Sequence, residues 1–499
     1  MDLLLQITLA LGITVMLSVL LGVARHRRQP TLPGFFYANY NLGPGATTNL
    51  LLSSPLSVNG ILYQAFLGYA IGWAAVFTQV AWCISYLWLR SYRKQIREQA
   101  KSRTLHGAIG LRFGIGTERA AALASLIGFT LLFGWEIIVG TAILSSAAPN
   151  RPLVFWLIAL GLALVAAAYT MTGGLRGNVR ANRLQNLVAC LSLIVLTVYL
   201  FYWSQTHAGA AGPFDGGSIS RLVTVLGIGG LLTNIAFSLL WQFVDMSTWQ
   251  TVAASDSDEG ADRSLVWSTF WIFLFPGAFG TAVGMFVRSL PNLDPNTLLP
   301  SIIGLLADKP FLSVFVLSGF VCALLSTIDG VLLSLGQASS FDLLRRTAVN
   351  RVFDWYKSQS SPTNEAESGE EEEPPRPPTE IVKLERDVFY VTRLSIIGTA
   401  IAGSLLTLLL TQVFHINIFD LVYIVTVAQM VLFPVVWYSL RSRGPSGEIG
   451  KYSIWAGLSL GVILVVLLIA LNRSILLQWV PLAALAVSAA VLRSGGKAK

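Results

Sequence analysis

Ala323-Leu324-Leu325-Ser326-Thr327-Ile328-Asp329-Gly330 lies deep inside a long apolar segment. It sets two hydroxyls and a carboxylate where a bilayer-spanning helix otherwise carries hydrocarbon. Polar groups at membrane depth cost free energy unless an ion, a substrate or a partner helix occupies them. At helical spacing Ala323, Ser326, Thr327, Gly330 and Ser334 share one face, so their small and polar atoms point together. The segment reads as a cation site inside a spanning helix.

Composition places the rest of the chain around it. Of 499 residues, 54% are hydrophobic and 12% charged, against roughly 25% charge in soluble domains. Apolar runs recur at lengths that cross a hydrocarbon core of about 30 Å as helix. Nothing alternates with period two, which excludes a spanning β-barrel. The sequence predicts an all-α membrane protein with thirteen spans, at 3–24, 45–66, 68–90, 119–147, 152–172, 184–204, 221–244, 264–287, 311–342, 390–412, 416–440, 452–472 and 475–493. The first run has no preceding basic residue and no small-residue cleavage site, so a retained span is expected, not a signal peptide.

Basic residues orient the spans. With the Arg25-His26-Arg27-Arg28 loop in the cytoplasm, 28 of the 34 Lys and Arg fall in cytoplasmic segments and five face outward: Arg151, Arg221, Arg288, Lys309 and Arg473. That asymmetry predicts a multi-pass plasma (inner) membrane protein with its N-terminus outside and its C-terminus cytoplasmic. The net charge of +8 then reflects topology and an anionic inner leaflet, not nucleic-acid binding. Cys83, Cys190 and Cys322 all fall within spans, so no disulfide framework is implied. An acidic loop over about 347–387, with Glu365, Glu367, Glu370 to Glu373 and a proline run, is expected to be disordered or extended. It is a solvated linker or a docking segment for a cytoplasmic partner.

Several motifs then converge. Tyr169-Thr170-Met171-Thr172-Gly173-Gly174-Leu175 with Gln185, Thr104-Leu105 with Arg112-Phe113-Gly114, and Phe35-Phe36 with Leu42-Gly43-Pro44 stand in order along the chain. Asp245, Gln250 and Ala253-Ala254 follow, then Ser326-Thr327-Ile328-Asp329 with Asp342-Leu343. The ordered set, from about 31 to 346, resembles the sodium:solute symporter family. That resemblance implies a LeuT-type 5+5 inverted repeat: an extra helix and turn in 1–30, a first repeat in 31–204, a second in 205–440, and two C-terminal helices in 441–499. The residues support it independently. The first span of each repeat is interrupted, by Pro55 and Gly60 in one and by Gly227, Gly229 and Gly230 in the other, and paired broken helices point to a midplane site.

The resemblance further implies a sodium ion held by carbonyls of Ser53, Leu56 and Ala323 and by hydroxyls of Ser326 and Thr327. The competing reading is that both hydroxyls bond back to carbonyls one turn earlier. Many family members carry Asp three residues before the loop Gln; here it is Asn182, next to Arg183. One sodium is therefore expected, with Asn182 and Asp329 as ion-linked residues, and the change bears on whether coupling is retained. Family analogy places Asn59, Gly60, Gln79, Ser238, Trp241 and Asn417 around a small polar solute, with neutral or zwitterionic compounds favoured because no Lys or Arg lies mid-span. Glu136, beside Trp135 in the fourth span, is a further buried carboxylate expected to have a partner or a function.

No enzyme chemistry is readable. Gly457-Leu458-Ser459-Leu460-Gly461 matches a nucleophile elbow only by chance, since it lies in a spanning helix. The function expected is sodium-coupled import of a small polar solute by alternating access. The alternative is a transporter-like sensor or subunit that binds solute or partner without net transport.

Overall fold

The computed structural model describes residues 2–23, 31–100, 104–145, 152–207, 219–288, 290, 293, 297–359, 377–412, 414, 416, 420–441 and 447–496. The Arg25–Arg28 loop, the glutamate run at 370–373 and Asn417 lie outside them.

Apolar runs become helices because a helix satisfies every backbone group within its own segment. Local signals set the ends. Ser and Thr at the caps accept from the first free amides, as Thr104 does from Gly107 at 3.0 Å and Ser257 from Gly260 at 2.9 Å, and prolines open several helices. The long elements are α1 (Leu3–Gly22), α2 (Pro44–Ser53), α3 (Val58–Ile71), α4 (Val76–Arg90), α5 (Ile115–Ser145) and α6 (Pro152–Thr206). They continue with α7 (Ile219–Val244), α8 (Asp258–Ile272), α9 (Gly280–Phe286), α10 (Pro310–Ala338), α11 (Thr379–Gln412), α12 (Asp420–Met430), α13 (Phe433–Arg441), α14 (Ile449–Ala470) and α15 (Val480–Gly496).

Among the described residues, eleven helical stretches are long and apolar enough to cross a membrane. Two of them, Val58–Arg90 and Val154–Thr206, each contain residues of two expected spans. The 55 residues of α6 would extend about 80 Å at 1.5 Å per residue. Gly174 divides it with φ 54° and ψ −156°, a backbone setting that a Cβ resists.

The breaks are narrower than the sequence suggested. The first core helix is interrupted at Ser54–Ser57 between α2 and α3, and Gly60 is helical. It is tight for another reason: a Cβ there would meet the Pro55 carbonyl oxygen at 2.6 Å. In α7 only Gly227 leaves the helix, at φ 70°, while Gly229 and Gly230 stay helical.

The expected extended loop at 347–387 is also corrected at both ends. Residues Arg346–Gln359 form a helix and Thr379–387 open α11. Val349, Val352 and Phe353 recur at helical spacing and are buried, and Tyr356 donates to Glu385 of α11 at 3.2 Å.

Burial separates centre from rim. In α10, 72% of the most apolar window is buried, against 28% in α14. Phe311, Tyr202 and Ile463 stand on the outer surface, as an exterior facing lipid requires. α10 therefore forms the molecule's axis, against which α1, α5, α6 and α11 pack.

Candidate functional site

The break between α2 and α3 meets α10. Thr327 donates from Oγ1 to the Ser53 carbonyl at the end of α2 (2.8 Å) and lies 3.0 Å from the Ala323 carbonyl. Ser326 donates to Ala323 at 3.1 Å. Ser53, Ala323, Ser326 and Thr327 are thus brought together, and Leu56 is fully buried in the adjoining break. The bonds to Ala323 are the back-bonding that hydroxyls make within a helix. The bond to Ser53 is different, because it crosses to the frayed end of another helix. Four neutral oxygens at one helix break suit a hard monovalent cation once the hydroxyl protons turn away.

Beside this cluster sits a second polar group. Tyr169 donates to the Leu325 carbonyl at 3.1 Å and to Asp329 Oδ2 at 3.3 Å. The Asn182 amide is best satisfied with its nitrogen donating to Asp329 Oδ2 at 2.9 Å and Gln185 Oε1 at 2.8 Å, and its oxygen accepting from Ser53 Oγ at 3.1 Å. Gln185 also donates to Ser18 of α1 at 2.8 Å. Asn186 donates to the Asn49 carbonyl at 2.8 Å and to Ser53 Oγ at 3.2 Å. Asn182 and Asp329 therefore touch each other and reach the oxygen cluster through Ser53.

Against the break opens a cavity of about 260 Å³, bounded by the break itself, α3, α4, α5, α7 and the start of α12. Asn59, Gly60, Gln79 and Trp241 line it, as does Thr327 of the oxygen cluster. Ser238 is buried behind that wall on α7 and does not line it. The sequence reading missed Trp82, Phe237, Asn234 and Asp420, which also line it; only their common location in the fold marks them. Glu136 finds its partner here. Its carboxylate faces the Ser57 hydroxyl and the amides of Val58 and Asn59 at the start of α3.

Several polar atoms of this wall are unpaired. Among the described residues, Gln79 Oε1, Trp135 Nε1, Glu136 Oε2, Asn234 Oδ1 and Trp241 Nε1 have no hydrogen-bond partner, nor has Ser238 Oγ behind the wall, and the amide of Asn59 makes no hydrogen bond of normal geometry although it faces Glu136. Most buried polar atoms in folded proteins are paired, so a cluster of exceptions calls for an explanation such as a ligand or water. Gln79 is held only on one side, its Nε2 donating to Gln64 Oε1 at 3.1 Å. Trp241 is fixed by rings, with centroids 4.8 Å from Phe237 and 5.5 Å from Phe129.

On the far side of Thr327 from this cavity the structure closes. A void of about 30 Å³ between Asn182, Asp245, Gln250 and Thr327 has room only for water. Below it Gln250 donates to the Phe36 carbonyl at 2.8 Å and accepts from Ser334 at 3.2 Å. Asp342 accepts from Thr104 at 2.6 Å and pairs with His106 Nδ1 at 2.8 Å. The helix Leu105–Phe113, which the Thr104-Leu105 motif anticipated, carries this pairing.

The fold is found in solved transporters. A Na+-coupled sialic acid symporter, solved in a substrate-bound outward-open state, aligns over 98% of this chain and 98% of its own at TM-score 0.70 and 15% identity. The fold is that of the LeuT-type transporters. A nucleobase-cation-symport-1 family transporter in a closed conformation with bromovinylhydantoin bound aligns over 93% of this chain and 94% of its own, at TM-score 0.52 and 15% identity. No family model and no curated protein matches the sequence.

Proposed function

We propose that this protein is a sodium-coupled secondary transporter of the sodium:solute symporter type, importing a small polar solute by alternating access. In this reading the chain crosses the membrane thirteen times with a 5+5 inverted repeat and its N-terminus outside. One observation carries it: a cavity lined by unpartnered buried polar atoms, set between two broken helices and sharing Thr327 with the oxygen cluster.

The residues then divide the work. Ser53, Leu56, Ala323, Ser326 and Thr327 would hold sodium, bridging the end of α2 to α10. Held together, these elements fix the break and with it the cavity wall at Ser54–Ser57. Asn59, Gly60, Gln79 and Trp241 would contact the solute, with Ser238 reached by a small shift of α7 and Asn417 contributing from the segment before α12. Asn182 and Asp329 would link ion occupancy to α6. The paired layer around Asp342 and Gln250 supports an outward-facing state, since the cavity reaches the start of α12 while the opposite end is closed.

The test is flux. Purified protein in proteoliposomes is offered a mixed pool of small polar solutes under an inward sodium gradient, with potassium as control, and the lumen is assayed. Accumulation above equilibrium in sodium, lost in the Asn59→Ala/Gln79→Ala variant, is expected. Saturable solute binding with no gradient-driven accumulation would instead establish a sensor or subunit.

A further inference from the structure

We propose that the cavity selects a solute carrying a positively charged nitrogen; this rests on the reading of the cavity as the solute site. The reason begins at α3. The N-terminus of a helix attracts anions through its free amides and dipole, and in a LeuT-type fold the start of α3 faces the cavity. Here that place is taken. Glu136 is buried, at 1% exposure, and faces the Ser57 hydroxyl and the Val58 and Asn59 amides. A solute carboxylate aimed at the same amides would meet a carboxylate.

The rest of the wall continues the pattern. Asp420, at the start of α12, lines it too, and no Lys or Arg lines the cavity among the described residues. Glu136 faces the donors of Ser57 and the start of α3 on one side, and its Oε2 is without a partner. A bound cation would satisfy it directly. Trp82, Phe237 and Trp241 line the same cavity, with Trp82 and Phe237 centroids 5.7 Å apart at an interplanar angle of 86°. Aromatic faces attract ammonium groups, most strongly where water is excluded. The volume of about 260 Å³ is far more than a single water needs and suits a small solute. Acidic groups, indole faces and unpaired amides together fit a small amine, quaternary ammonium or ammonium-bearing zwitterion whose carboxylate points away from α3.

A matched set of probes tests this on the full-length protein in detergent at constant sodium. The probes are choline and benzyltrimethylammonium, the neutral isostere of choline with carbon in place of its nitrogen, and the anion tert-butylacetate. Thermal stability is read against probe concentration. Saturable stabilisation by the cations at least tenfold tighter than by the isostere, with no shift from the anion, is expected. Glu136→Gln should bring cation and isostere to the same affinity. Should that variant fail to fold, Asp420→Asn, at the cavity's more exposed edge, should weaken the cations alone by several-fold. Equal affinity for cation and isostere, a preference for the anion, or no cation response overturns the proposal. The outcomes separate it from transport itself. Sodium-driven uptake of only neutral or anionic solutes leaves the transporter standing and removes this selectivity. Saturable cation binding without gradient-driven uptake does the reverse.

Discussion

The cavity wall and the layer that closes the molecule at the Leu105–Phe113 end are both lined with amides, hydroxyls and carboxylates, yet they differ in pairing. In the closed layer Thr104, His106 and Asp342 bind one another, His106 reaches Ser125 at 2.8 Å, and Gln250 ties Phe36 to Ser334. In the cavity wall Asn59, Glu136, Asn234 and Trp241 each keep at least one atom without a partner. An unpaired buried polar group costs more than a paired one returns. A fold therefore carries a cluster of unpaired groups where something outside the chain completes them. The closed layer is satisfied within the chain, and the cavity wall is not.

Substitutions in the two regions should separate accordingly. Asp342→Ala leaves Thr104 and His106 buried without their acceptor, and should cost about 3 kcal/mol, seen as a lower melting temperature in detergent. Asp342→Asn keeps one acceptor and should lose less. An unchanged melting temperature in Asp342→Ala would erase the contrast between the regions. Thr327→Val removes the only cross-helix bond that the hydroxyl pair makes to α2, and should cost about 1–2 kcal/mol. Tyr169→Phe removes one bond to Asp329 and should cost about 1 kcal/mol by the same assay. Asn59→Ala sits at the other extreme. Its side chain faces Glu136 without a hydrogen bond of normal geometry, so stability should fall by less than about 1 kcal/mol while solute binding falls at least tenfold. A large stability loss there would mean that Asn59 is structural.

Much of the arrangement was legible because the chemistry is anomalous in its setting. A hydroxyl pair at 326–327 inside an apolar run, and helix breakers at 55 and 227, stand out against hydrocarbon. The placement of the breaks was less legible. Pro55 and Gly60 look equally disruptive in a sequence, but Gly60 serves close approach of the Pro55 carbonyl and remains helical. Glu136 was visible as costly, whereas its partner was not, since Ser57 and Asn59 lie nearly eighty residues away and meet it only once α3 and α5 pack. The aromatic wall had no signal at all, because Trp82 and Phe237 resemble any lipid-facing or interfacial ring. The helix at Arg346–Gln359 did leave a signal, the spacing of Val349, Val352 and Phe353, which the acidic run beside it overshadowed.

Sodium is the point on which the proposed mechanism turns. Melting temperature of the purified protein should be followed through a sodium titration at constant ionic strength, with potassium as the balancing ion, beside Ser326→Ala/Thr327→Ala. A bound ion stabilises by RT ln(1 + [L]/Kd), about 2.7 kcal/mol at a hundredfold excess over Kd. The account predicts sodium-specific stabilisation in the natural sequence and none in the double variant. Identical behaviour in sodium and potassium would contradict it, leaving a LeuT-type fold whose cavity works without sodium.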